Sequence, residues 1–341
     1  SVAVAFLNSY INPAHEQQVG EWLRAAMPDA FVTCSTDLTR EWYEYERTAT
    51  AAANAYVGPQ MNGYVRLLDR KLAERDFKGK FYLMGSNGGV VSAERALREP
   101  IMLVESGPVG GCIGAAAYAN ELGLDNVLAF DMGGTTAKCA LVEKGKFDVK
   151  PVYYVGGYDH GFPVRGAVID IVEVSAGGGS IAWLDEAKRL HLGPRSAGST
   201  PGPACYGRGG AEPTITDANA VLGRLLPETF LGGEMHLDVA AAERAIHDRI
   251  VKPFGLQGEA EMLRMAAGMI SIATVIMAGS IKRVSVERGR DPRDYALFAY
   301  GGGGPLHAVD LARELHIPTV IIPPEPGNFS AAGMLIADAR L

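Results

Sequence analysis

What the sequence lacks narrows it first. Its 341 residues include only four cysteines, Cys34, Cys112, Cys139 and Cys205. They lie far apart without a C-x-x-C pair, which argues against a disulfide scaffold or a cysteine-held zinc and suits buried thiols in a reducing compartment. No lysine- or arginine-rich block interrupts a net charge of −7, from 32 basic and 39 acidic residues, so general nucleic-acid binding is not expected. Uncharged runs are short. The longest, Met265 to Ile281, has 17 residues and carries Gly268, Ser271, Thr274, Gly279 and Ser280, so it reads as a buried helix and not a membrane span. No charged-then-apolar leader opens the chain, and a cytoplasmic location is expected. What is there, 48% hydrophobic and 21% charged residues, is the composition of a soluble globular protein. The length calls for two or three subdomains.

The chain is organised around residues 127–143. Val127 to Phe130 is an apolar run of buried-strand type, and Ala137, Cys139 and Leu141 alternate with Lys138 and Ala140 as a second strand should. The hairpin they form turns through Gly133-Gly134, with Asp131 at its entrance and Thr135 and Thr136 at its exit. One carboxylate, glycine N–H groups and two hydroxyls in one loop suit a phosphate, with Mg²⁺ held through water. An ordinary hairpin whose glycines merely satisfy the turn fits the same residues.

Upstream, Ser1 to Tyr10 and Phe31 to Cys34 read as strands flanking a helix from His15 to Met27. Thr39 to Thr50 is the most aromatic stretch, with Trp42, Tyr43 and Tyr45 read as packing partly against the core. A helix is expected over Ala49 to Leu72, with a break at Gly58-Pro59. Phe81 to Met84 runs into a Ser86-Asn87-Gly88-Gly89 turn, and Glu105 to Gly111 opens a small-residue helix whose N-terminus suits anions.

Downstream, Ser175 to Ala182 is another glycine loop. Residues 193–210 hold six glycines and three prolines, an ordered long loop that is functional or a lid. Pro213 to Thr216 reads as a strand, with Asp217 at the N-cap of a helix through Leu226. Residues 239–251 form an amphipathic helix, and 260–282 a helix whose Leu263, Ala267, Ile270, Thr274, Met277 and Ile281 mark one buried face. Tyr295 to Tyr300 is a strand entering Gly301-Gly302-Gly303-Gly304-Pro305, a helix from Leu306 to Leu315 follows, and Thr319 to Ile322 is the next strand. Four consecutive glycines are entropically costly, and close approach by a nucleobase and ribose would justify them. His307, at that helix's start, either faces the ligand or packs.

These segments closely resemble the hydantoinase A / 5-oxoprolinase family, within the actin–hexokinase–Hsp70 superfamily. The motifs carrying the resemblance run in order along the chain: NSYINPAHE at 8–16, EYERTATAAANAYVGP at 44–59, SNGGV at 86–90, ESGPVGG at 105–111, FDMGGTT at 130–136, AGGGSIA at 176–182, SAGSTPGPACYGRGG at 196–210, TDAN at 216–219, GGGGPLHA at 301–308 and PGNFSAAGML at 326–335. The resemblance implies an α/β, actin/hexokinase-like (ribonuclease H-like) fold of mixed sheets with flanking helices in an incomplete two-lobed ATPase architecture. The expected division is 1–122 as a first α/β subdomain and 123–341 as the nucleotide-binding region.

By the same resemblance, Asp131, Gly133, Gly134, Thr135 and Thr136 are the second phosphate loop and Mg²⁺ anchor. Asp131 is also the expected catalytic residue, Gly301 to Gly304 meet the adenosine, and Asp217 is a second metal candidate. The implied cofactors are ATP and Mg²⁺ or another divalent metal. Implied partners are a small cyclic amide or ketone and a companion hydantoinase B-like subunit, with no nucleic acid and no membrane. The implied activity is ATP-dependent cyclic-amide hydrolysis, with a ketone carboxylase subunit or a non-catalytic nucleotide-binding scaffold as alternatives.

The sequence departs from the family pattern in two respects. The family's usual D-x-G-G-T-F-T-D first phosphate loop does not precede Ser1, so the sequence reads as a fragment or a split subunit, inactive alone. Lys138 stands where many members have Asp, and Val172-Glu173 where they have His-Thr. At about 5 Å and an effective dielectric near 20, a lysine changes the interaction with a phosphate by roughly 3 kcal/mol per unit of charge. Lys138 is therefore expected to bind phosphate, or else to be an exposed strand-end lysine.

Overall fold

The computed structural model describes residues 1–156, 161–174 and 176–337; Ser175, at the start of the expected glycine loop, lies outside them. Two compact units result, one of residues 1–113, 147–170 and 331–341, the other of 114–146 and 171–330. A single cut between 122 and 123 therefore does not describe them. Residues 147–170 return to the first unit because the hairpin of Val149–Val155 with Phe162–Ile169 packs on the long helix Glu44–Glu74.

In the first unit, Val2–Val4 and Val32–Cys34 pair in parallel, joined through the helix Ala14–Ala26. The expected helical break is not there. Glu44–Glu74 runs through Pro59, giving up one intrahelical hydrogen bond. Gly58 earns its place differently: a Cβ there would lie 2.3 Å from the ring of Phe31. Trp42, Tyr43 and Tyr45 are all exposed, and Tyr43 stacks on Trp42 with ring centroids 4.5 Å apart.

Glu16 and Arg47 are fully enclosed and face each other at 3.6 Å. Burial alone would raise the Glu16 carboxyl, but donors including the Phe6 and Thr36 N–H groups and the Ser35 hydroxyl hold it below the usual range. Arg47 in turn donates to Ser35 Oγ at 2.6 Å and Phe6 O at 3.0 Å. Such a pair keeps its charges only because each is hydrogen-bonded as well as paired.

The second unit is built on one mixed sheet. Its main strands in chain order are Asn126–Met132, Ala137–Glu143, Val172–Val174, Ala296–Tyr300 and Thr319–Ile321, and they lie in the spatial order 3-2-1-4-5 with only the second antiparallel. That is the ribonuclease H-like arrangement. One face carries Leu128, Phe130, Met132, Cys139 and Leu297 into a core closed by the helices Glu259–Val284 and Gly304–Leu315. The other face carries Phe298 and Tyr300, which meet Tyr118 and Phe329 at centroid distances of 5.1–5.7 Å where they touch.

Among the described residues one helical stretch, Glu259–Arg288, is long and apolar enough to cross a membrane by length and composition. Its Met269, Met277 and Ile281 are fully buried in this core. Each such side chain contributes about 1.5–3 kcal/mol by leaving water, so the helix acts as core filler.

Candidate nucleotide site

The strands Asn126–Met132 and Ala137–Glu143 leave a four-residue connection, Gly133 to Thr136. Gly133, Gly134 and Thr135 are exposed at its tip. A Cβ built on Gly133 or Gly134 would meet nothing within 4 Å, so space beside the tip is open. Behind the tip the loop is fastened: the Gly178 N–H donates to Gly133 O at 3.1 Å, and the Gly179 N–H to Gly134 O at 2.6 Å.

Gly177 lies so close that a Cβ would sit 2.4 Å from the Thr135 carbonyl carbon. Any side chain there would push the tip away. Thr216 completes the fastening, its N–H and hydroxyl both donating to Gly178 O, at 2.8 and 2.9 Å. Gly177 to Gly179 and Thr216 are thus supporting residues of the hairpin that reasoning from the sequence did not assign to it. The AGGGSIA run was the available signal, and it says nothing about which loop it meets.

Below the tip, Asp131, Lys138 and Glu173 stand directly opposite one another on three neighbouring strands. Lys138 Nζ lies 3.7 Å from Glu173 Oε1. The departing positions Lys138 and Glu173 are therefore cross-strand neighbours. Burial raises the half-buried Asp131 carboxyl, and the opposite charge of Lys138 draws it back down. This leaves one cation between two carboxylates at the foot of the loop.

Of the four late glycines, Gly301 and Gly303 have reasons inside the protein. Gly301 is left-handed at φ +80°, and a Cβ would lie 2.3 Å from Asp131 Oδ1; a Cβ on Gly303, whose N–H donates to Met132 O at 2.8 Å, would crowd Met132 Cγ and Sδ at 3.3 Å. Gly302 alone is exposed with nothing within 4 Å of a built Cβ. Gly304 is buried at the start of the following helix. The structure thus brings Gly301 to Gly304 against the hairpin, while close approach by a ligand explains at most one of them.

Asp217 is corrected on two counts. The N-cap of the helix Ile215–Val221 is Thr214, and Asp217 is the third helical residue of a capping box. No strand precedes it, only a bridge between Thr214 and Ile181. The carboxylate is fully buried and accepts from the N–H groups of Ala204 (3.2 Å), Cys205 (2.8 Å) and Thr214 (2.9 Å) and from the Thr214 hydroxyl (2.8 Å). Its lone pairs are spent on these four donors, two from the Gly/Pro-rich loop and two from Thr214, which leaves none for a metal. His307 is likewise inside, with Asn219 Nδ2 3.4 Å from its Nε2.

Among the described residues no group of three or more His, Cys, Asp or Glu could hold a metal. A divalent cation beside Asp131 would draw most of its ligands from phosphate oxygens and water, which is how Mg²⁺ commonly binds. The open tip, with the Asp131 carboxylate at its base, fits that case.

The Hydantoinase/oxoprolinase family profile matches residues 47–341. The chain belongs to the hydantoinase/oxoprolinase family. The family inferred from the motifs is the one matched. Among its relatives, caprolactamase subunit alpha of Pseudomonas jessenii is 38% identical over 100% of this chain and 48% of its own length. The acetophenone carboxylase gamma subunit of Aromatoleum aromaticum is 38% identical over 99% and 46%. In structure, ATP-dependent caprolactamase from P. jessenii superposes with a TM-score of 0.79 at 37% identity over 99% of this chain and 48% of that one. A nucleotide-free acetone carboxylase gives 0.87 at 30% identity over 98% and 47%. The chain thus spans about half the length of these hydantoinase/oxoprolinase relatives.

Proposed function

We propose that this chain is the ATP-binding part of an ATP-dependent enzyme that activates an amide carbonyl, a cyclic-amide hydrolase of the hydantoinase/5-oxoprolinase kind working with a companion hydantoinase B-like subunit. The observation that carries it is the exposed Gly133–Thr135 tip, tied by its carbonyls to Gly178 and Gly179 with Asp131 and Lys138 facing each other at its base. A tip anchored in this way is pre-organised before phosphate arrives, which is how backbone donors stabilise developing charge. ATP, when bound, supplies the phosphoryl group that turns a ring-amide oxygen into a leaving group.

The residues of this chain have separate tasks. Gly134, Thr135 and Thr136 cradle phosphate oxygens, Gly133, whose N–H donates to Thr136 O at 3.1 Å, shapes the turn that presents them, Lys138 neutralises phosphate charge, and Asp131 orients Mg²⁺-bound water. Glu173 holds Lys138 between strands, and Gly302 leaves room for adenosine. A ketone carboxylase subunit is the second reading, favoured by the TM-score of 0.87 with acetone carboxylase.

Calorimetric titration of ATP with Mg²⁺ into the chain, beside Asp131→Ala and Lys138→Met, tests the site. Saturable, Mg²⁺-dependent binding that weakens about tenfold or more in each variant is expected, a loss on the order of one charge-assisted contact. Binding that ignores both substitutions, or none by the unsubstituted chain, would sink the assignment.

A further inference from the structure

Within the first unit, a cavity of about 400 Å³ opens beside the strand Val32–Cys34, in the size range of small-molecule sites. Half-buried Phe31, Val32, Leu38 and Leu97 give it an apolar lining, and Arg24, Asp37, Arg98 and Glu99 a charged one. One face of the helix Glu44–Glu74 holds these parts in place. Asn54 is fully buried there, donating through Nδ2 to Thr33 Oγ1 at 3.0 Å and to Arg98 O at 3.1 Å and accepting from the Ile101 N–H at 3.1 Å. It ties the strand to the turn at 98–101, and both line the cavity. Gly58, four residues on and therefore on the same helix face, lies against the Phe31 ring, where a Cβ would collide. The EYERTATAAANAYVGP stretch thus fixes the shape of a cavity that the phosphate hairpin does not use.

The charges around it do not cancel. Arg24 Nη2 lies 3.2 Å from Asp37 Oδ2 and 3.4 Å from Val32 O, so two lining residues hold that guanidinium at the cavity. Glu99 Oε2 accepts from Arg95 Nε at 3.1 Å. Arg98 is exposed, and its guanidinium has no hydrogen-bond or ion-pair partner among the described residues. One positive charge is therefore left over beside a partly apolar space, where it is screened less than in bulk water. A single anionic group on a ligand answers that charge. A second would meet Asp37 and Glu99, and a cation would add to the excess.

We propose that this cavity binds a singly charged organic anion, a carboxylate or sulfonate, whose head pairs with Arg98 beside Arg24 and whose apolar body lies against Phe31, Val32, Leu38 and Leu97. Since about 150 Å³ holds benzene, the space suits a body of about ten heavy atoms, the size of a fused bicyclic ring. Arginine and a carboxylate or sulfonate form charge-assisted hydrogen bonds, which orient the head while the apolar lining takes the rest. The site depends on no reading of the phosphate hairpin.

The test is ligand-observed saturation-transfer NMR on the whole chain, titrating 2-naphthoate and naphthalene-2-sulfonate as the two anions and 2-naphthylmethanol as the uncharged analogue of the same shape. Arg98→Gln removes the unmatched charge from an exposed position, and Leu97→Gln makes the apolar lining polar without touching a charge. Circular dichroism establishes that both variants are folded. Saturable binding of at least one anion is expected, and which one binds more tightly identifies the head group. That binding should weaken about tenfold in Arg98→Gln and about fivefold in Leu97→Gln, and the alcohol should bind about tenfold more weakly than the anion. No saturable signal from either anion with the unsubstituted chain, unchanged binding in Arg98→Gln, or an alcohol that binds as tightly as the anion would each overturn the proposal.

Discussion

Asp217 shows how much one carboxylate can hold together. Its two oxygens join the Gly/Pro-rich loop at Ala204 and Cys205 to the first turn of the helix Ile215–Val221. Asp217→Ala leaves several buried N–H groups unmet, and a loss of about 3–5 kcal/mol in urea unfolding is expected. Mg²⁺ dependence of nucleotide binding, titrated in the same variant below its unfolding midpoint, should be unchanged. The cap was half legible: a threonine three residues before an aspartate is a capping-box pattern. Reading Asp217 itself as the cap missed the register by three residues. The partners at 204–205 were beyond reach, because a loop of glycine and proline carries no periodicity to say where it returns.

At the scale of elements, the hairpin was readable because Val127–Phe130 and Ala137–Leu141 announce strands by composition and alternation. The strand–glycine–helix passage at 296–315 was readable for the same reason, whereas the contacts between the loops were not. Gly177 meeting Thr135, and Gly301 meeting Asp131, depend on sheet order, which no local pattern encodes. Two neighbouring substitutions separate packing from ligand approach. Gly301→Ala forces a Cβ into Asp131 at a left-handed position and is expected to cost about 1–3 kcal/mol in urea unfolding. It should abolish nucleotide binding in calorimetry as well. Gly302→Ala, with open space around it, should leave stability within about 0.5 kcal/mol yet weaken ATP binding if adenosine lies against that backbone.

At the scale of the molecule, each unit carries its own buried ionisable group. In the second, burial pushes His307 down to about 4, helped by Arg224 and opposed by Asp310. A histidine whose folded value lies below its unfolded 6.5 contributes stability above pH 6.5 and loses it as the pH falls toward 4. The full loss is about 3 kcal/mol. Urea midpoints measured from pH 7.5 to 4 should therefore fall across that window, and His307→Gln should flatten the curve there. The sequence led to a single boundary near residue 122 because composition changes little along the chain. The interleaving of 147–170 with the first unit rests on strand-to-helix packing against Glu44–Glu74, a contact between segments about a hundred residues apart.

The fastening of the hairpin tip also bears on the order in which the protein is made. The tip at 133–135 is held by 177–179 and by Thr216, and Asp131 lies against Gly301. Contacts so far apart along the chain close late, after the loops between them have paid their closure entropy. During synthesis the strand bearing Asp131 emerges from the ribosome long before Gly301 does. A nascent chain stopped before Thr216 has a hairpin without its full anchorage, and one stopped before Gly301 still lacks the backbone that meets Asp131, so the proposed nucleotide site is complete only once nearly all of this unit has been translated.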